Sequence, residues 1–159
     1  MTALDLQLQE EPSAAALVLY WLAESHQDAR GGDGILLPWA MLGLGLVLTD
    51  STRDALPKAK STLGGWLNTE GARAWRGDIP GAILAWRETF WHAVGRGAQA
   101  GMLQLKGGRL VAPTGAKVPA PKTDEATMFR KKSRALGGTF GAEPSDHTIT
   151  SALGLEFVP

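Results

Sequence analysis

The apolar run at residues 35–48 constrains this chain more than any other feature of its sequence. It is about fourteen residues long, carries no charged side chain and contains Pro38, Gly43 and Gly45, whereas a bilayer-spanning helix needs roughly twenty apolar residues. Such a run has to be buried in a protein core, as a helix or as a hydrophobic strand-like piece. A chain of 159 residues is long enough to build that core around it. No covalent staple is available, because the sequence has no cysteine; disulfides, thiolate metal sites and cysteine nucleophiles are thereby excluded. Residues 1–11 carry Asp5, Glu10 and Glu11 without a single base, unlike the basic start of a secretory signal. These features lead us to expect a cytoplasmic protein with no membrane contact.

Around that run the pattern is mostly helical. Pro12 and Ser13 open residues 14–26, where Leu17, Tyr20, Trp21 and Glu24 recur at helical spacing. Gly31, Gly32 and Gly34 then break the chain. Asp50, Ser51 and Thr52 supply a turn or cap before residues 53–56, which Pro57 ends. A short helix is expected over residues 60–68, with Leu63, Trp66 and Leu67 on one side in spite of Gly64 and Gly65. The strongest helical signal covers residues 78–98, opened by Asp78 as a cap and Pro80 in the first turn. Its stripe of Ile79, Ile83, Trp86, Phe90 and Val94 is assigned to the core, and Gly101 stops it.

Residues 102–105 and 109–112 are short apolar pieces separated by Lys106, Gly107 and Gly108, which reads as a hairpin with a tight glycine turn. Three prolines mark residues 113–123 as an irregular linker. Asp124 is the expected cap of a helix over 125–136, with Met128, Phe129 and Leu136 inward and glycines 137, 138 and 141 ending it. Pro144, Ser145 and Asp146 introduce a last helix at 148–153, and residues 154–159 close the chain. The fold expected is mainly α with one small β-hairpin, a winged-helix-like helical domain. We divide this single domain into an acidic helical part at 1–57, a winged-helix-like part at 58–112 with its hairpin at 102–112, the linker at 113–123, and C-terminal helices at 124–159.

The sequence holds little that points to catalysis. His26, His92 and His147 are far apart and none has a second ligand four residues on, so the zinc-protease pattern is absent. Neither a phosphate-cradling G-x-x-x-x-G-K-[ST] nor a G-x-S-x-G elbow occurs. Gly95, Gly97 and Ala100 have the spacing of a dinucleotide fingerprint but sit at a helix end with no preceding strand, where close packing and a helix stop explain them better. We therefore expect no enzyme activity, no cofactor and no metal.

Charge and aromatics point instead to surfaces. Residues 1–57 hold eight acids against two bases, a net charge of −6, and residues 58–159 hold fourteen bases against eight acids, a net charge of +6. Such a dipole can orient the protein on a charged partner; segregated, solvated helix faces would leave the same pattern. Six tryptophans lie within the first 91 residues. Trp75, flanked by Arg73 and Arg76 in a polar stretch, is the candidate exposed anchor of a partner interface. Lys106 and Arg109 at the hairpin tip, with Arg130, Lys131 and Arg134 on the late helix beside Lys132, are candidate contacts for nucleic acid or for an acidic partner.

Several segments are similar to the middle components of prokaryotic ABC three-component, Lamassu-like defence systems. They are Pro12-Ser13-Ala14-Ala15-Ala16-Leu17, the apolar run with its central proline, Arg53-Asp54-Ala55-Leu56-Pro57-Lys58, and Ser61-Thr62-Leu63 through Trp66-Leu67. Ser133-Arg134-Ala135-Leu136-Gly137, then Phe140 and residues 149–154, complete the set. The Gly64-Gly65 pair and the long proline-rich linker depart from that pattern. What the resemblance implies is an adaptor in anti-phage or anti-plasmid defence. It would bind an SMC- or Rad50-like ABC ATPase subunit, couple it to an effector subunit such as a nuclease, and meet DNA through the complex. The alternative reading is a winged-helix DNA-binding transcriptional regulator with its basic residues on phosphate.

Overall fold

The computed structural model describes residues 13–154. Helix α1 (Ala14–Arg30) leads into strand β1 (Ile35–Leu36), helix α2 (Leu37–Leu48) and the single turn α3 (Asp50–Arg53). Short helices α4 (Leu63–Leu67), α5 (Glu70–Arg76) and α6 (Ile79–Ala85) precede α7 (Arg87–Gln99). Strands β2 (Gln104–Lys106) and β3 (Arg109–Val111), then α8 (Asp124–Gly141) and α9 (Asp146–Ala152), complete the fold. The roles given to Asp5, Glu10, Glu11 and Pro12, and to the closing residues 155–159, lie outside the described residues.

Helices α1 and α8 form the central pair. The Ser13 hydroxyl caps α1 by accepting from the Ala16 amide at 3.2 Å, and Gly31 ends it in the left-handed conformation, φ 78°. Helix α8 begins at Asp124, with Thr123 rather than Asp124 as its cap; the Thr123 hydroxyl accepts from the Ala126 amide at 3.0 Å. It also continues to Gly141, well past the expected stop at Leu136. The reason is tertiary. A Cβ on Gly137 would lie 2.2 Å from Ser25 Oγ and 2.4 Å from the Leu22 carbonyl oxygen, and one on Gly141 would lie 2.6 Å from the His26 carbonyl oxygen. Gly137 lets two backbones touch inside the helix instead of ending it, Gly141 does so where α8 ends, and their pairing in ascending order along both segments shows that α1 and α8 run in the same direction.

The apolar run resolves into both of its readings. Ile35 and Leu36 pair with β3 in antiparallel register, Ile35 opposite Leu110, and give the sheet order β1-β3-β2. Pro38 sits in the first turn of α2, where a missing N–H costs nothing. Trp39, Ala40, Leu42, Leu44, Leu46 and Val47 are then buried almost all round the helix, as expected of an apolar helix inside a core. One buried cluster runs from Ala16 of α1 through α2 and Phe90 of α7 to Phe140 and Ile149.

The expected helix over 78–98 is two. Asp78 does cap, accepting from the Gly81 amide at 3.1 Å, but α6 ends at Ala85 and Trp86 closes a tightened turn through its amide to the Ile83 carbonyl, 3.2 Å. The Trp86 indole lies on Gly45 of α2, where a Cβ would come within 2.3 Å of the ring. Trp86 is thus half-buried in a notch of α2 rather than in the core stripe, and Ile83 is half-buried too, while Ile79, Phe90 and Val94 are buried. Helix α5, capped by Thr69, has no expected counterpart; Ala72 is its one buried residue.

The hairpin follows its turn chemistry. Gly107 and Gly108 both have positive φ, 57° and 75°, the requirement of the two-residue turn that matches strand twist. Its first strand starts later than expected because Met102 and Leu103 are buried in the core. Helix α9 starts at Asp146 under a Ser145 cap.

Candidate functional surfaces

Asp146, at the start of α9, is bound by two arginines from different elements. Arg30, at the end of α1, donates to one carboxylate oxygen at 2.9 Å, and Arg109 of β3 donates to the other. Arg30 also donates to the carbonyls of Phe140, 3.2 Å, and Gly141, 3.4 Å, and Arg109 to that of Gly34, 3.0 Å. Burial raises the Asp146 carboxyl, but the hydrogen bonds and charges of Arg109 and Arg30 outweigh it and hold the group below the usual carboxylate range. Gln27 fixes the same hairpin from α1: its amide donates to the Ala112 carbonyl at 3.0 Å and accepts from the Ala112 amide at 2.6 Å. Arg109 is therefore committed to an internal ion pair. At the hairpin tip Lys106 remains as the exposed base.

The tryptophan signal also resolves differently. Trp75 is half-buried and stacks on Trp66 with ring centroids 5.3 Å apart. Arg76 donates to the Leu67 carbonyl at 2.7 Å, and Arg73 is exposed. Trp75 packs inward, then, because its partner ring comes from a neighbouring helix. The large apolar side chains that do face solvent are Leu84 at 63% exposure, Leu105 at 48% and Trp91 at 41%. They come from α6, β2 and α7, and sequence reading singled out none of them for exposure.

Three of the expected basic residues, Arg130, Lys131 and Arg134, line one side of a groove of about 1290 Å³. The other side is the loop of residues 57–62, which contributes Lys58 and Lys60; Lys132 joins from α8. Glu143 is the acid in this lining, and the hydroxyls of Ser61, Thr62, Thr127 and Thr139 complete its polar groups. Lys58, Lys60, Arg130, Lys131 and Lys132 take part in none of the ion pairs among the described residues. Arg134 is paired with Glu24 of α1, whose other oxygen accepts from the Tyr20 hydroxyl at 2.6 Å. Burial first, and then that hydrogen bond, push the tyrosine up to about 12.

Local packing holds the loop opposite α8. Arg53 of α3 donates to the Val47 carbonyl at 2.6 Å and to that of Leu48 at 3.3 Å, satisfying the end of α2, and its guanidinium lies 4.7 Å above the Phe129 ring of α8. The Trp66 indole N–H donates to the Ala55 carbonyl at 2.8 Å, and its ring meets Phe140 edge-on at 6.3 Å. Lys60 turns the loop in the left-handed conformation, φ 69°, the one non-glycine among the described residues to do so.

His26 is a buried core residue. Its Nδ1 lies 2.9 Å from the Asp33 carbonyl and so carries the proton, leaving Nε2 without a partner among the described residues. Burial pulls its pKa below the usual histidine value of 6.5. His92 and His147 are exposed. Among the described residues no group of three or more histidines and acids could hold a metal ion, and no helix is long and apolar enough to cross a membrane.

Residues 5–157 match the family described as ABC-three component (ABC-3C) system Middle Component 3. No curated protein and no solved structure matches the chain.

Proposed function

Because the chain belongs to the ABC-three component system Middle Component 3 family, and so works with the other components of such a system, we propose that it is their non-enzymatic adaptor. In this reading it binds an SMC- or Rad50-like ABC ATPase in the cytoplasm. It couples the state of that ATPase to an effector, a nuclease or another toxic activity, in anti-phage or anti-plasmid defence of the Lamassu kind. The observation that carries the proposal is the family match over nearly the whole chain. Exposed Leu84, Trp91 and Leu105 support it, since apolar and aromatic side chains left outside a core are the anchors on which protein partners close.

The regulator reading places a basic wing on DNA. The element order, with β1 beside β3 and the hairpin following the helices, supports a winged-helix comparison. Its chemistry is weaker, because Arg109 is already bound to Asp146. The deciding experiment is purification of the tagged protein from its native operon in mild salt, with its companions identified by mass spectrometry. An ABC ATPase in near-stoichiometric amount is expected. The chain emerging alone, or with DNA only, would overturn the adaptor reading.

A further inference from the structure

The groove between residues 57–62 and α8 has a lining whose chemistry selects a class of ligand. Five of its bases, Lys58, Lys60, Arg130, Lys131 and Lys132, carry no internal counter-charge, against the single acid Glu143. Of its four hydroxyls, those of Thr127 and Thr139 donate to the Thr123 and Ala135 carbonyls, which leaves Ser61 and Thr62 to donate to a ligand. Cations mixed with serine and threonine hydroxyls are the set that contacts nucleic-acid phosphates, and binding of that kind requires no base readout.

Two further observations narrow the class. The larger apolar side chains at the groove, Leu63 and Pro57, are buried, and its exposed apolar residues are the small Ala59 and Ala142, so an acidic peptide would find charge there but no large open apolar side chain of the kind that anchors a protein partner. No aromatic residue lines the groove either, and single strands bind largely by stacking their bases on such rings. What remains is the outside of a double helix. The net charge of +6 on residues 58–159 would draw such a polyanion toward this half of the molecule.

We propose that this groove is a sequence-independent binding site for the phosphate backbone of duplex DNA, formed by Lys58 and Lys60 from the loop and by Arg130, Lys131 and Lys132 from α8. The site is distinct from the hairpin tip and independent of the identity of the ATPase. The loop sets its geometry: Lys60 is held in a left-handed turn, and the Trp66 bond to Ala55 and the Arg53 contact with Phe129 fix the loop's distance from α8. Arg134, already paired with Glu24, contributes less than the other bases.

The test is fluorescence anisotropy of the full-length chain with a short labelled duplex of arbitrary sequence, titrated at several salt concentrations. The logarithm of the binding constant should fall with that of salt at a slope of about −4, as for four or five neutralised phosphates. Lys58→Glu combined with Lys131→Glu changes one exposed residue on each wall, and should weaken binding more than about tenfold and make the slope shallower by about 2. Lys106→Glu at the hairpin tip should leave affinity within about twofold. Absence of duplex binding at about 50 mM salt would overturn the proposal, as would equal losses in the groove and tip variants. Tighter binding of a labelled single strand, or of an oligoglutamate of matched charge, would overturn it as well and assign the groove to that ligand.

Discussion

Gly137 lies directly beneath the backbone of Leu22, so close that a methyl group added to it would stand 2.4 Å from the Leu22 carbonyl oxygen. Neither backbone can move aside without disturbing its own helix. Gly137→Ala should therefore destabilise the protein by about 1–3 kcal/mol, an overpacking cost that exceeds the gain in helix propensity. Its neighbour Gly138 has nothing within 4 Å of the equivalent position, and Gly138→Ala should stabilise by about 0.5–1 kcal/mol. Urea denaturation of the two variants should give changes of opposite sign; a shared sign would show that α1 and α8 are not packed this closely.

Asp146 holds Arg30 and Arg109 together, and Arg30 is only 9% exposed. Removing the carboxylate leaves a nearly buried guanidinium with carbonyl partners alone. Asp146→Asn should cost about 2–3 kcal/mol, toward the low side for a buried pair because the carboxylate keeps some contact with solvent. Arg109→Gln, which leaves the Arg30 pair intact, should cost less. Denaturation midpoints that rank the two variants the other way would contradict this order.

Stability should fall with acidity in two separate windows. His26 is pulled below 6.5 by burial, with the charges of Arg30 and Arg109 adding to the effect and Asp146 and the Asp33 carbonyl opposing it. As pH drops below 6.5 the unfolded chain takes up a proton that the folded imidazole refuses, so stability declines until the folded form is protonated too. The Asp146 contribution is complete above the ordinary carboxylate value of 3.8 and is lost as pH falls through its lower folded value. His26→Gln should flatten the limb that begins as pH falls below 6.5 and leave the Asp146 limb, below 3.8, in place. A first limb that survives the substitution would assign it to another group.

Leu84 contributes little to the core, and Leu84→Ser should change stability by no more than about 0.5 kcal/mol. Trp91 stacks edge-on against Phe90 at 5.1 Å, and Trp91→Ser should cost about 1 kcal/mol. If the proposed ABC ATPase docks on these side chains, the two changes together should reduce its capture by tenfold or more while the thermal transition stays cooperative. Capture at the wild-type level would remove these two side chains from the interface.

What the sequence displayed, and what it hid, follows from the range of the interactions concerned. The hairpin turn was legible because Gly107 and Gly108 act on their own backbone, and the cap at Asp78 and the helix start at Ser13 because each side chain bonds an amide three residues on. Gly137 read as a stop, although α8 runs on to Gly141, since its use lies in another helix, more than a hundred residues away in the chain. The break at Trp86 carries no proline or glycine; its cause is a notch at Gly45. Trp75 looked exposed because its neighbours are arginines, while the ring that covers it belongs to Trp66. Half of the basic groove was visible as the run from Arg130 to Arg134. Lys58 and Lys60, modest in their own surroundings, gain significance only once Arg53 and Trp66 set them opposite α8.

The parallel pairing of the first and second-to-last described helices has a consequence for how the chain reaches its native state. Glu24 meets Arg134 at a sequence separation of 110, so although α2 can already cover Leu22 at Gly43, the face of α1 that carries Glu24 and Ser25 has no partner until α8 has been synthesised. Contacts of such long range are slow to close. On the ribosome the nascent chain therefore leaves Ser25 and the α8-facing side of α1 uncovered through most of translation. A product truncated before α8 would emerge with that face still bare, a candidate for chaperone capture or degradation rather than a partly working subunit.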